Sequence, residues 1–205
     1  MTSSIKPTIL IIFGVTGDLS RRKLLPAIEK IAASTIAPES LRIVGVTRQQ
    51  HTAEDVLGKV SGAMDYVREH LEVYSMSLTK LDEYIELRER LGEIEREMGE
   101  PAQRLIYLSV PPQISQPIVE LLGESGIAHT PDTKLLLEKP FGVDLSSSKE
   151  LVAQAKKYFR EDQLYRIDHY LAKEMTQNLV VFRQQNSLFK HTWNNQFIDS
   201  IEIVA

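Results

Sequence analysis

The densest group of side chains suited to chemistry lies at residues 166–173, Arg-Ile-Asp-His-Tyr-Leu-Ala-Lys. Imidazole, phenol and ammonium groups all donate hydrogen bonds, so His169, Tyr170 and Lys173 together suit a phosphate dianion. If the segment is helical, His169 and Lys173 lie one turn apart on the same face. Asp168 does not favour an anion and is expected to orient another group or to bind a hydroxyl. A catalytic Asp–His dyad is the competing interpretation, disfavoured because adjacent side chains rarely point at each other.

A second candidate, at residues 14–21, has the glycines of a phosphate-binding turn. Gly14 permits a tight turn, and Gly17 lets the backbone approach a pyrophosphate without a Cβ in the way. The helix-like pattern that follows would aim a helix N-terminus at the same place. The spacing G-x-x-G departs from the usual G-x-G-x-x-G, so an ordinary strand-to-helix turn without a ligand stays open as the alternative.

Three further polar residues also follow apolar runs. Arg48 stands where an NAD-specific fold usually offers an acid to the ribose hydroxyls, so it suits a 2′-phosphate. A solvent-exposed surface arginine is the alternative. Ser109 lies just before two prolines. Lys139 precedes Pro140 and can donate to a bound oxygen, and the sequence leaves the cis or trans state of that bond open.

The apolar patterns predict the elements that position these residues. Strands are expected at 9–13, 41–46, 72–77, 105–110, 134–138 and 163–167, and helices at 24–31, 53–70, 81–98, 114–122 and 146–159. Strands that alternate with helices indicate an α/β fold with a parallel sheet covered on both faces. Because the carboxyl ends of parallel strands lie at one edge, all the candidate residues are expected to meet there.

Composition limits the function classes. The chain has 205 residues, 42% of them hydrophobic and 25% charged, as is typical of a soluble globular protein. Residues 80–100 hold eight acids and four bases, an excess equal to the net charge of −4, and a solvated helix face explains it. Without clustered excess base, no nucleic-acid surface is expected. No cysteine is present, which excludes disulfides and thiolate metal sites, and no metal is expected. No membrane-spanning stretch or signal peptide is evident, so a cytoplasmic location is expected.

Three of these segments resemble glucose-6-phosphate dehydrogenases. They are residues 14–21, the Glu-Lys-Pro-Phe-Gly loop at 138–142, and residues 166–174, and they occur in the family's order. The resemblance implies a Rossmann-like, doubly wound, mainly parallel sheet with helices on both faces. It also implies hydride transfer from C1 of glucose 6-phosphate to NADP⁺, with NAD⁺ as a possible coenzyme, giving 6-phosphogluconolactone in the pentose phosphate pathway.

The resemblance also implies roles for single residues. The coenzyme contacts would be Gly14, Val15, Thr16, Gly17, Asp18, Leu19, Ser20, Arg21, Arg48, Ser109 and Lys139. The substrate contacts would be Lys23, Lys139, His169, Tyr170 and Lys173, and Asp168 would orient the catalytic histidine.

Residues 1–175 would form the NADP-binding domain, and 176–205 a connecting helix and the first strand of a C-terminal substrate domain. The family's general base, a histidine, lies well beyond the His169 segment, and His191 comes too early to match it. The chain alone is therefore expected to bind NADP⁺ but to turn over poorly, and the full-length protein is expected to be a homo-oligomer.

Two alternatives stay open. One is a stand-alone nucleotide-binding module without catalysis. The other is a dehydrogenase of another sugar phosphate or an NAD-preferring variant, because Gln49 and Gln50 add no second positive charge beside Arg48.

Overall fold

A computed structural model describes residues 6–34, 37–38, 40–130, 132–139, 141–142, 144–168 and 170–202. The chain divides into two compact units, Met1–Arg166 and Ile167–Ala205. The domain limits predicted from the sequence, 1–175 and 176–205, stay a prediction.

Six strands form one sheet in the order β3-β2-β1-β4-β5-β6. They are β1 (Thr8–Phe13), β2 (Leu41–Thr47), β3 (Leu71–Ser75), β4 (Gln103–Leu108), β5 (Thr133–Glu138) and β6 (Leu164–Ile167). β1 pairs in parallel with β2 and β4, β2 with β3, and β4 with β5. The predicted α/β, Rossmann-like fold is confirmed. Because the strand order reverses between β1 and β4, a crevice opens there at the carboxyl ends of the strands.

The helices of the first unit cover both faces of the sheet. They are α1 (Leu25–Ala32), α2 (Ala53–Leu57), α3 (Asp65–His70), α4 (Leu81–Met98), α5 (Pro112–Glu124) and α6 (Leu145–Tyr158). The second unit contains α7 (Glu174–Gln185) and α8 (Ser187–Lys190). A core of buried apolar residues joins α1–α3 to one face of the sheet, and a second core joins α4–α6 to the other. Strand β1 supplies both cores, with Ile9 and Ile11 on one side and Ile12 on the other. This double burial explains its unbroken apolar run.

The single helix predicted over 53–70 is wrong, since the segment forms two short helices, α2 and α3. Gly62 between them has φ of +98°, which a helix does not accept. Buried residues of α2 and α3 nevertheless belong to the same core. The apolar spacing therefore reports a shared face and not a continuous helix.

The glycine turn leads into a wide helical turn before α1. Residues Ser20–Leu24 form a π-helical turn that continues directly into α1. Pro26, in the first turn of α1, has no backbone N–H to donate to the regular ladder. Such π turns occur frequently at functional sites.

The second unit begins with a turn. Tyr170–Lys173 is not helical, contrary to the conditional expectation for 166–173, and α7 begins at Glu174.

Within the second unit the ring of Phe182 lies 4.6 Å from that of Phe189 and 6.1 Å from that of Trp193. The first strand expected for the C-terminal domain comprises residues 200–205. Residues 200–202 lie in no helix or strand, and residues 203–205 lie outside the described residues. Among the helices of the described chain, none has the length and apolar character needed to cross a membrane.

Candidate functional site

The crevice between β1 and β4 is closed on one side by the turn after β1. Gly14 has φ of +84°, and a Cβ on it would overlap the backbone carbonyl oxygen of Ser109. The N–H of Gly17 donates to the carbonyl oxygen of Gly14 at 2.9 Å. The turn therefore needs glycine at position 14, both for the left-handed backbone and for the close approach of the loop after β4.

Ser20 holds this turn together. Its buried hydroxyl makes hydrogen bonds of 3.0 Å to the carbonyl oxygen of Gly14 and 3.0 Å to the hydroxyl of Ser109. The loops after β1 and β4 are thus joined by side chains as well as by backbone packing. Both serines were predicted as coenzyme contacts, and both also have this structural role.

The side chain of Val15 packs against β2 and so holds the turn in place. Its side chain is fully buried, and a Cβ on Gly45 of β2 would lie 2.8 Å from Val15 Cγ1. Only the backbone of Val15 is therefore left to contact a ligand. This packing explains why glycine is needed at position 45, which was not evident from the sequence.

Positive charge collects where the turn becomes a helix. Arg21, Arg22 and Lys23 lie on the π-helical turn, and Lys23 is exposed. Arg22 pairs with Asp18 at 3.4 Å, and both side chains are exposed. The Nε of Arg21 is buried and has no hydrogen-bond partner among the residues that the structure describes. The start of a helix that carries an unpaired guanidinium nitrogen suits an anion.

Arg48 lies between two open clefts at the end of β2. The first has a volume of about 580 Å³ and is lined by Arg48, Gln50, Ser75, Met76, Ser77, Leu78, Thr79, Glu83 and Ile114. The second has a volume of about 440 Å³ and is lined by Thr16, Thr47, Arg48, Gln49 and His51. The second cleft therefore connects the glycine turn to Arg48, as the sequence predicts for a dinucleotide. Sequence reasoning missed His51, which only the path of the loop brings to this cleft.

The loop that carries Arg48 is held by its neighbours. The hydroxyls of Thr47 and Ser75 donate to the carbonyl oxygen of Gln49 at 2.6 and 2.9 Å. Those two hydroxyls lie 3.1 Å apart at the ends of β2 and β3. In the described part of the chain, neither Arg48 nor His51 makes a hydrogen bond or an ion pair. A fixed backbone thus presents two side chains that are available to a ligand.

Lys139 follows β5 directly and is exposed at the same edge of the sheet. The preceding residue, Glu138, accepts a hydrogen bond from the phenol of Tyr107 on β4. Burial of Tyr107, together with this carboxylate, raises the pKa of the phenol, so that it remains protonated. The backbone next to Lys139 is thereby anchored to the sheet, whereas Pro140 lies outside the described residues.

In the second unit, the turn after β6 brings two predicted substrate contacts together. The Asp168 carboxylate accepts a hydrogen bond of 3.0 Å from the N–H of Tyr170. The Nζ of Lys173 lies 4.2 Å from the centre of the Tyr170 ring. His169 lies outside the described residues. The turn therefore presents a phenol and an ammonium side by side, and the phosphate contact stays a prediction.

The sequence of the chain is similar to those of known dehydrogenases. The chain is 34% identical to the glucose-6-phosphate 1-dehydrogenase of Bacillus subtilis (strain 168) over 96% of its length and 42% of the relative's. It is 36% identical to that of Hanseniaspora uvarum, covering 99% of this chain and 44% of the relative. The chain thus spans less than half the length of these curated relatives.

Solved structures agree. A glucose-6-phosphate dehydrogenase in complex with its substrate glucose-6-phosphate matches with a TM-score of 0.84 and 30% identity, over 96% of this chain and 43% of that one. The glucose-6-phosphate 1-dehydrogenase of Mycobacterium avium matches with a TM-score of 0.77 and 28% identity, over 93% and 42%. The family model described as "Glucose-6-phosphate dehydrogenase, NAD binding domain" matches residues 11–178, well over half of the chain. The chain therefore belongs to the glucose-6-phosphate dehydrogenase family, through its NAD-binding domain.

Proposed function

We propose that the chain is the coenzyme-binding part of an NADP-dependent glucose-6-phosphate 1-dehydrogenase, an oxidoreductase that transfers hydride from C1 of glucose 6-phosphate to NADP⁺. The observation that carries the proposal is the continuity of the site. The glycine turn at the switch point opens into the cleft at Arg48, and Thr16 lines both the turn and that cleft. This path matches the extended shape of a dinucleotide.

The residues at the turn fit a pyrophosphate. Gly14 and Gly17 keep the backbone free of Cβ atoms, and Ser20 holds the loop in place. Arg21 has a buried Nε without a partner among the described residues, which a phosphate oxygen would satisfy. When bound, the dinucleotide supplies the hydride acceptor, and these residues bind and orient it.

Arg48 supports NADP⁺ over NAD⁺. One of its two clefts is lined, among the described residues, by hydroxyl, amide and imidazole groups. The carboxylate of Glu83 lines the other cleft, where it accepts a hydrogen bond from the N–H of Ser77 and pairs with Lys80. A guanidinium makes charge-assisted, bidentate hydrogen bonds to a phosphate, and it does not need the ribose hydroxyl that an acid would recognise. We therefore assign Arg48 and Thr16 to the 2′-phosphate of NADP⁺.

The proposed contacts to the sugar phosphate are Lys23, Lys139 and residues of the turn at 168–173. Tyr170 and Lys173 offer adjacent donors for the phosphate, and His169 is assigned to the same group. Lys139 at the end of β5 would lie between coenzyme and sugar. Asp168 is proposed to orient the histidine that removes the proton from the C1 hydroxyl, a step that needs a base within hydrogen-bond reach.

Binding measurements test the coenzyme assignment. NADP⁺ and NAD⁺ are titrated calorimetrically into the 205-residue chain and into its Arg48→Ala variant. The substitution is expected to weaken NADP⁺ binding by about 1.5–3 kcal/mol, as for a hydrogen bond to a charged group, and to change NAD⁺ binding little. An equal loss for both coenzymes would remove Arg48 from the 2′-phosphate.

The second candidate is a nucleotide-binding module that does not catalyse. It requires only the glycine turn and the cleft at Arg48, which the described chain provides. An assay of the chain with glucose 6-phosphate and NADP⁺ separates the two, and measurable turnover would contradict the prediction that the chain alone is inactive. The homo-oligomer and the cytoplasmic location stay predictions for the full-length protein.

A further inference from the structure

The loop after β2 carries a second group suited to an anion. His51 lines the same 440 Å³ cleft as Arg48 and Thr16. It is partly exposed, and no hydrogen bond or ion pair occupies it within the described part of the chain. The residues between Arg48 and His51 turn back, because the carbonyl oxygen of Gln49 is held by Thr47 and Ser75. Arg48 and His51, three residues apart in the sequence, therefore line the same cleft.

Charged groups of both signs lie near His51. Arg48 faces it from the end of β2, and Thr16, which is uncharged, faces it from the glycine turn. The charged groups of the neighbouring helical segment are Glu54 and Asp55 on α2 and Lys59 just beyond it. Glu54 pairs with Arg68 at 2.9 Å, and the Asp55 carboxylate interacts electrostatically with His51. The Asp55 carboxylate accepts hydrogen bonds from the N–H of Thr52 at 2.8 Å and from its hydroxyl at 2.9 Å. It is therefore committed to the start of α2 and does not line the cleft.

An imidazole in this position adds charge only when it is protonated. Neutral histidine donates one hydrogen bond, whereas the imidazolium donates two and carries a positive charge. Histidine changes between these forms near physiological pH. A phosphate placed in the cleft would meet one permanent cation, Arg48, and one that depends on pH.

We propose that His51 is a second, pH-dependent contact for the 2′-phosphate of NADP⁺, so that the preference for NADP⁺ over NAD⁺ increases as the pH falls below neutrality. The proposal rests on the proposed function, since it assumes that a dinucleotide occupies the crevice. It supplies the second positive charge that Gln49 and Gln50 do not provide. NAD⁺, which has no 2′-phosphate, would not respond to His51.

The test compares the ratio of NADP⁺ to NAD⁺ affinity in the wild-type chain and in His51→Gln, by calorimetry at about pH 6 and about pH 8. Since the phosphate itself titrates near pH 6, each variant is compared with the wild type at the same pH. His51→Gln is expected to lower the ratio about two- to fivefold at the lower pH and less than about 1.5-fold at the higher one, the range for a partly exposed ion pair. His51→Arg is expected to keep the ratio high at both values.

His129→Gln is the matched control, because it removes one exposed imidazole beyond α5, outside the cleft at Arg48. It is expected to leave the ratio unchanged. If His51→Gln matches the wild type at both pH values while Arg48→Ala loses the preference, the role of His51 is refuted and the proposed function stands. If the wild-type chain binds neither coenzyme, both fail.

Discussion

The polar side chains at the two edges of the sheet, the amino ends and the carboxyl ends of the strands, differ in whether they are paired within the protein. At the amino ends of the strands, buried polar side chains are paired within the protein. Arg104 on β4, whose side chain is only 6% exposed, donates to Glu95 of α4 at 2.9 and 3.1 Å. The buried amide of Gln163 donates to the carbonyl oxygen of Thr133 at 2.9 Å. At the carboxyl ends the backbone is also held by hydrogen bonds, but the side chains of Arg48 and His51 make no hydrogen bond or ion pair within the described chain.

The difference separates stability from binding. A buried polar group that lacks its partner costs free energy, so the amino edge is closed to ligands by its own hydrogen bonds. At the carboxyl edge, side chains such as Ser20 and Thr47 hold loops in place while neighbouring cations stay available. Substitutions at the amino edge should therefore affect folding alone, and those at the carboxyl edge should affect nucleotide binding.

The largest effect is expected from Arg104→Met. Arg104 is buried and Glu95 is 23% exposed, so losing their two charge-assisted hydrogen bonds should lower the free energy of unfolding by about 2–3 kcal/mol, measured by urea denaturation. NADP⁺ affinity of the folded protein should not change. Adding Glu95→Leu should restore much of the stability, because an apolar pair can replace a buried ion pair. A loss below about 1 kcal/mol would show that the pair behaves as an exposed one.

Gly14→Ala should destabilise the chain by about 2 kcal/mol, since alanine is strained in a left-handed backbone and its Cβ would overlap Ser109. It should also weaken binding of NADP⁺ and NAD⁺ together, because both share the pyrophosphate.

Gly99→Ala is the matched control. Gly99 has φ of +77° at the end of α4, and a Cβ there would meet nothing within 4 Å. It should lower stability and leave coenzyme affinity unchanged. Equal binding losses for the two variants would mean that Gly14 acts only through folding.

Ser20→Ala should cost about 1 kcal/mol of unfolding free energy, because it removes the hydrogen bonds to Gly14 and Ser109. Because the turn would be held less firmly, calorimetry should show that the affinities for NADP⁺ and NAD⁺ fall by a similar factor. Selective loss of NADP⁺ would instead place Ser20 at the 2′-phosphate.

The smallest effect is expected from Lys6→Ala at the amino edge. Lys6 pairs with Asp132 at 3.1 Å, and their side chains are 61% and 52% exposed. Such a pair contributes about 0.2–1 kcal/mol, so urea denaturation should show little change and added salt should reduce it further. A loss close to that of Arg104→Met would contradict the contrast drawn from burial.

The sequence predicted the features that depend on local pattern. Buried parallel strands read as apolar runs, and a glycine turn after such a strand indicates the switch point, so β1, Gly14 and the residues at strand ends were predicted. The break between α2 and α3 was not, because the apolar spacing across Gly62 is the same for one helix as for two that share a face.

Contacts between distant segments were also beyond prediction. Ser20 meets Ser109 only when the sheet brings β1 and β4 together. His51 reaches the cleft of Arg48 because hydroxyls from two strands hold Gln49. The burial of Arg104 depends on Glu95 of α4, and an arginine at a strand start gives no local sign of it.

The most direct test is amide hydrogen exchange of the chain with and without saturating NADP⁺. We predict increased protection at residues 14–21, 47–51 and 75–79 at the carboxyl edge, and none at 103–104, 132–134 or 163 at the amino edge. Protection centred on the amino edge, or an unprotected glycine turn in a chain that calorimetry shows to be saturated, would contradict the assignment of the coenzyme to the crevice between β1 and β4.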